Sequence, residues 1–235
     1  MITTKEELKE CIKLETEKYI APFPKRVLRF FRHDVDYYLC KYLIVLRTLE
    51  YYTNNSSTLF NKLLREYYKF RWLRLCHQTG LLLYPNSVGE GVKLYQTVGG
   101  KTCVASHAKI GKNVSIRPGL ILGYQGDSYK STQAAPIVED NVEFSWGVMA
   151  FGNKRIGRGA LINANTVITS NIPPYAIVVG NPAKVVGFRL KPEEIIELEK
   201  TLYPETERLP LDVLEKNYDK YLVSRLDELK KFTKL

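Results

Sequence analysis

Apolar side chains return every six residues over the middle of the chain. Val92, Val98, Val104, Ile110, Ile116 and Leu122 form one run, and Val138, Phe144, Ala150, Ile156, Ile162 and Ile168 a second. Such a period matches neither a helix nor the simple alternation of a half-buried strand. It is the mark of a parallel β-helix, in which each repeat gives one short strand and one turn and stacking of repeats builds the core. Four positions on from the inward residue the side chain is again small or apolar: Ala108, Val114, Leu120, Val142, Val148 and Ala160. One position earlier, where the chain must turn, stand Asn113, Gly119, Asn141, Gly147, Gly159 and Asn165. From Leu122 to Val138 the spacing is 16 residues, not a multiple of six, so GYQGDSYKSTQAAP leaves the repeat as a loop. A polar, glycine-containing loop between regular repeats is either a tolerated insertion or a carrier of function.

The flanks follow another rule. Leu28, Phe31, Val35, Leu39 and Leu43 recur at near-helical spacing, as do Leu63, Tyr67, Phe70 and Leu73, with a break at Asn54–Ser57. Pro192, Glu193 and Glu194 open a later helix, and Leu214, Tyr218, Tyr221 and Leu222 suggest another. The expected organisation is an N-terminal helical domain over 1–85, a β-helix domain over 86–186 and a helical extension over 187–235. That extension should cover an open end of the coil or a neighbouring subunit, because an uncovered end exposes core and strand edges.

The chain carries a net charge of +10, and residues up to Pro85 hold 15 Lys or Arg against 9 Asp or Glu. That excess is either a solvated helix face or an attraction to anionic partners, with peripheral contact to a membrane as one form. No helix-turn-helix, zinc-finger or RNP pattern is present, so nucleic acid is not expected. The longest apolar run, Tyr42 to Leu46, is too short to span a bilayer. The opening MITTKEELKECIK reads as charged and helical rather than as a signal peptide. Cys11, Cys40, Cys76 and Cys103 form no C-x-x-C unit, so no metal site is expected and a reduced, cytoplasmic setting is the simplest reading.

GRGALINANTVITSNIPPYAIVVGNPAKVV, at Gly157–Val186, resembles the end of the hexapeptide-repeat acetyltransferases. AKIGKN at Ala108–Asn113 and APIVEDNVEF at Ala135–Phe144 fit the same pattern, so the resemblance covers residues 88–190. The leader ending KFRWLRLCHQTGLLLYPN is similar to that of the branch joining serine acetyltransferases and polysaccharide O-acetyltransferases. The resemblance implies a mainly β fold, a left-handed parallel β-helix with an N-terminal helical domain and C-terminal helices. It also implies a homotrimer that binds acetyl-CoA as co-substrate between subunits, with direct attack of an acceptor hydroxyl on the thioester. Family positions lining the CoA groove fall on Trp146, Ala164, Thr169, Ser170 and Lys184. Lys184 offers charge to a phosphate. Trp146 replaces a residue usually small, and its role is open between stacking on the cofactor and packing between subunits.

Attack on a thioester by a hydroxyl calls for a general base, which contributes about 10²–10⁴-fold. In the serine acetyltransferase branch a histidine lies twelve residues before the Ile of an I-G-[DK]-N repeat; here that count from Ile110 reaches Val98. A second family histidine, in an H-P pair, is replaced at Ala135–Pro136. Of three histidines, His107 alone lies in the repeat region, and it is the substitute base or a hydrogen-bonded turn residue. His77 suits a helix C-terminus. In RHDVDYY, Asp34 or Asp36 either inherits the family's acceptor-holding role or caps a helix. Tyr95, Gln96, Arg117, Tyr124 and Asp127 complete the acceptor candidates, Arg117 as a partner for a carboxylate or phosphate.

The expected function is acetyl transfer from acetyl-CoA to a hydroxyl of a sugar or related small acceptor in surface-polysaccharide synthesis. Serine acetylation in cysteine biosynthesis and a non-catalytic scaffold that binds CoA are the alternatives.

Overall fold

The computed structural model describes residues 1–19, 34–95, 100–125 and 135–232, the side chains of Lys18 and of 222–232 excepted. Leu28, Phe31, His33, Gln96, Val98 and Asp127 lie outside the described residues.

The middle of the chain is a three-sided parallel coil. Face A stacks β1 (Leu81–Leu82), β3 (Thr102–Val104), β6 (Ile121–Gly123), β9 (Met149–Phe151) and β12 (Val167–Ile168). Face B stacks β4 (Lys109–Ile110), β7 (Ile137–Val138) and β10 (Arg155–Ile156). Face C stacks β2 (Lys93–Leu94), β5 (Ser115–Ile116), β8 (Glu143–Phe144), β11 (Leu161–Ile162) and β13 (Ala176–Val179), and β14 (Lys184–Phe188) closes it antiparallel to β13. The chain visits A, B and C in turn, with Val88 and Ile172 reaching face B as isolated bridges in the first and last coils, so each coil sits one strand spacing, about 4.8 Å, beyond the last. Inward side chains form columns: Val104, Leu122, Ala150 and Ile168 behind face A, and Leu94, Ile116, Phe144, Ile162 and Val178 behind face C. All of these are buried.

The turn residues explain the six-residue pattern. Asn113, Asn141 and Asn165 hold φ of 55°, 58° and 56°, in the left-handed region, where Asn is tolerated far better than branched residues. Gly119, Gly147 and Gly159 take the same region in neighbouring turns. At Gly159 a side chain is excluded twice over, since a Cβ would also meet the Tyr175 ring at 2.5 Å.

The phase of the repeat differs from expectation at its start. Leu94, not Val92, pairs in register with Ile116, and Val88 bridges to Ile110. Val92 instead stands beside Val114, in the small-residue column. The inward residue after Leu94 is Val104, ten positions on, so four extra residues enter here. A count of twelve back from Ile110 therefore runs through an insertion. The coil also begins at Leu81, ahead of the expected boundary at residue 86.

Helices close both flanks. In the leader, α1 (Lys5–Thr16) starts with a capping box between Thr4 and Glu7, and α2 (Val35–Asn54) and α3 (Leu59–Thr79) pack as a hairpin. Leu39, Tyr42, Leu43 and Leu46 of α2 share one core with Leu83, Val88 and Leu94, so the leader covers the first coil. Leu63, Tyr67, Phe70 and Leu73, at helical spacing in the sequence, lie on α3 and are exposed, and Trp72, Leu75 and Thr79 of the opposite face are buried. After the coil, α4 (Pro192–Leu202) and α5 (Leu211–Phe232) pack on its side. Glu199 of α4 accepts from Tyr175 at 2.6 Å and from Arg158 at 3.3 Å, and thus fastens the helix to the edge between faces B and C. No helix among the described residues is long and apolar enough to cross a membrane.

Candidate active site

Faces C and A meet at an edge that gathers candidates from both functional lists. Its first described residue is Tyr95, directly after β2, with Arg117 one coil on; the Arg117 guanidinium lies 4.8 Å from the Tyr95 ring centre. This holds a planar cation at the surface, with no acid at ion-pair distance among the described residues. Further along, Gly147 N–H donates to the Pro118 carbonyl at 3.0 Å and Asn165 N–H to that of Trp146 at 2.7 Å. Those bonds set Trp146 and Ala164 on successive turns, both exposed. The edge ends at the hairpin carrying Lys184, where Val167 N–H donates to Gly180 and Ala183 N–H donates back to Val167.

The leader reaches the other end of this edge. Tyr19 donates its hydroxyl to the Leu94 carbonyl, a link across 75 residues of sequence. Burial raises the Tyr19 pKa, and the charges of Asp36 and Tyr95 raise it further, which places both side chains in its electrostatic surroundings. Asp34 caps α2, its carboxylate accepting from Asp36 N–H at 2.9 Å. Asp34 is therefore the N-cap of α2. Tyr19 was not a candidate from the sequence; a contact of such separation leaves no local pattern.

The edge between faces A and B holds the remaining described candidates, His107, Tyr124, Thr169 and Ser170. The Tyr124 hydroxyl lies 2.7 Å from Ser106 Oγ and accepts from His107 N–H at 3.3 Å, its ring meeting the imidazole edge-on at 5.9 Å. His107 Nδ1 is buried and has no hydrogen-bond partner among the described residues. Thr169 and Ser170 lie on this edge but three coils on, about 14 Å along the stack. Within one chain the five CoA candidates are therefore divided: Trp146, Ala164 and Lys184 on one edge, Thr169 and Ser170 on the other. Between the two edges runs the outer surface of face A, an apolar column of Leu82, Cys103, Ile121, Met149 and Val167 in register, flanked by exposed Phe151. The described residues hold no group of three or more His, Cys, Asp or Glu able to bind a metal.

No family model matches the chain. Serine acetyltransferase 4 of Arabidopsis thaliana is 31% identical over 116 residues, covering 49% of this chain and 32% of that protein. The serine acetyltransferase of Mycobacterium tuberculosis is 31% identical over 109 residues, 46% of each chain. Among solved structures, that of the Neisseria gonorrhoeae serine acetyltransferase superposes with a TM-score of 0.58 at 25% identity, over 80% of this chain and 67% of that one. The likeness is to serine acetyltransferases. The chain spans about a third to a half of the length of these curated relatives. The expectation of a sugar acceptor in surface-polysaccharide synthesis is overturned by these matches, which favour the serine alternative. The polysaccharide branch of the resemblance finds no support in them either.

Proposed function

We propose that this chain is a left-handed β-helix enzyme that transfers acetyl from acetyl-CoA to the side-chain hydroxyl of serine or a close amino-acid analogue. The observation that carries the reading is the likeness to serine acetyltransferases over the coil, joined to an edge that holds the Arg117 cation beside Tyr95. A zwitterionic acceptor needs a cation for its carboxylate and an anion for its ammonium group. Arg117 supplies the first beside Tyr95, and Asp36 the second from the leader. Lys184, at the far end of the same edge, offers charge to a CoA phosphate.

A homotrimer completes the site. Face A presents apolar side chains outward, and packing it against a neighbour brings one subunit's Tyr95–Arg117 edge against another subunit's His107 edge. The acceptor oxygen then attacks the thioester carbonyl, the C–S bond breaks, the CoA sulfur leaves as thiolate, and His107 takes the hydroxyl proton and returns it to the sulfur. His107 is the base by elimination, and its Nε2 is the nitrogen left to act, because Nδ1 is buried. Thiol release from acetyl-CoA with serine, with the product identified by mass, tests the reading. Turnover with serine that falls about 10²-fold in His107→Asn supports it. Binding of acetyl-CoA without turnover on any hydroxy amino acid overturns it.

A further inference from the structure

Helix α3 is apolar on the wrong side. Leu59, Phe60, Leu63 and Phe70 are 75%, 69%, 63% and 66% exposed, and Tyr67 and Leu73 extend the same stripe. The spacing 63, 67, 70 runs along one helix face for about two turns, opposite Trp72 and Leu75, which hold the helix to the protein. Contiguous exposed aromatic and aliphatic side chains of this kind mark an interaction surface.

The charges around the stripe have one sign. Helix α3 carries five cations and one acid, and that acid, Glu66, is already engaged by Arg65 at 2.8 Å and Lys69 at 3.9 Å. At the C-terminal end of the stripe a cleft of about 220 Å³ opens between α2 and α3, lined by Lys41, Phe70, Arg71, Arg74, Leu75 and Gln78. None of its three cations has an acid within ion-pair distance among the described residues. Lys41 lies instead 5.8 Å from the Tyr37 ring, and Arg71 5.7 Å from that of Tyr67. Phe70 belongs to both features, so the apolar stripe runs directly into a cationic notch.

We propose that α3 and this cleft form a peripheral docking surface for an anionic membrane. The stripe lies in the headgroup–acyl boundary, and Lys41, Arg71 and Arg74 receive a lipid phosphate. An apolar stripe flanked by Lys and Arg is the arrangement of interfacial helices, and each surface cation is further attracted by anionic lipid. Charge selects this occupant over a second copy of the helix: two copies laid stripe to stripe bring cations toward cations and no unengaged acid. The inference is independent of the acetyl-transfer reading.

Co-sedimentation of the full chain with vesicles of phosphatidylglycerol and phosphatidylcholine tests it, beside vesicles of phosphatidylcholine alone. Expected is binding to the anionic vesicles that weakens with salt, a loss of about tenfold or more in the Leu63→Ser/Phe70→Ser variant, and a similar loss in Lys41→Glu/Arg74→Glu. All four positions are exposed or half-exposed, and an unchanged thermal melt shows that each variant is folded. No binding to anionic vesicles, equal binding to phosphatidylcholine, or binding unchanged in the variants overturns the proposal. So does sedimentation analysis without lipid in which Leu63→Ser/Phe70→Ser lowers the mass of the assembly, because the stripe is then an interface between copies.

Discussion

The coil and the helical leader bury their cores by opposite means. In the coil the inward positions are apolar with few exceptions such as Thr102 and Thr166, the turns are fixed by Asn and Gly at positive φ, and the same six positions do the same work in each repeat. Among the described residues of the leader the largest fully buried side chain is a charged one, Arg47. Its guanidinium donates to Glu15 of α1 at 2.9 and 2.5 Å, to Glu50 at 2.8 Å, and to the carbonyls of Val88 and Gly89 on the first coil at 2.8 and 2.7 Å. One side chain thus binds two helices and the coil. The difference teaches that repetition spreads stability over many equivalent contacts, whereas a non-repeating cap concentrates it in a few unique ones.

The largest effect is expected where the contacts are concentrated. Arg47→Leu leaves Glu15 and Glu50 buried without their cation and the two coil carbonyls without a donor. Removing one partner from a buried ionic cluster costs about 3–5 kcal/mol, and urea denaturation should show a loss of that size. A loss below about 1 kcal/mol would mean that water reaches the cluster, and the comparison would collapse.

The thiols sharpen the contrast next. Cys11 is buried in the leader, and its pKa is pushed up to about 12, chiefly by that burial and against the pull of Arg47. Cys103 is exposed on face A of the coil. A raised thiol pKa means less thiolate at any pH below it, about 10⁻⁴ of the population at pH 8 for a value of 12. Alkylation at pH 8, followed by peptide mass mapping, should label Cys103 at least about 10²-fold faster than Cys11. The Cys11 rate should rise about tenfold per pH unit until its pKa is reached. Comparable rates at pH 8 would show that the leader opens readily from the coil.

How far each region could be read in advance follows from the same contrast. The coil was legible because its period, its turn residues and its core positions are one signal repeated. Even so, the four extra residues between Leu94 and Val104 break the period, and a count across them loses the register. The candidate site was legible in part: Tyr95, Arg117, Trp146, Ala164 and Lys184 fall on one edge, yet no spacing rule says that Thr169, Ser170 and His107 fall on another. In the leader, Arg47 looks like any charged helix residue, and Tyr19 meets Leu94 across a separation that leaves no trace in sequence. The helical spacing of Leu63, Tyr67, Phe70 and Leu73 is legible in α3, but periodicity says that a face is apolar and not what covers it.

A smaller effect is expected at the turns. Asn165 sits at φ 56° with its side chain under Gly147. A branched residue there pays the left-handed strain of about 1–2 kcal/mol, so Asn165→Val should lower stability by that amount. Asn165→Gly, which tolerates the conformation, should stay within a few tenths of a kcal/mol. Equal losses in both variants would mean that the Asn side chain, and not the turn conformation, is what the repeat requires there.

The smallest effect is expected at Leu63. The same kind of residue at an inward coil position, such as Ile162, is fully buried, and truncating it there removes packed contacts and leaves a cavity. Leu63 shares the apolar character and the regular spacing, but it is 63% exposed and on the face of α3 turned away from Trp72 and Leu75. Replacing it by Ser therefore removes little that folding had withdrawn from water, and surface changes of this sort usually stay within about 0.5 kcal/mol. Serine is also a somewhat poorer helix former than leucine, by a few tenths of a kcal/mol, so a slight loss is the expected sign. Thermal melting of Leu63→Ser beside Ile162→Ser reads both positions in one experiment. If Leu63→Ser costs as much as Ile162→Ser, the stripe is buried in solution against another surface, and the single-chain exposure does not describe the working state. If it costs almost nothing, the apolar face of α3 is maintained for something other than the stability of this chain.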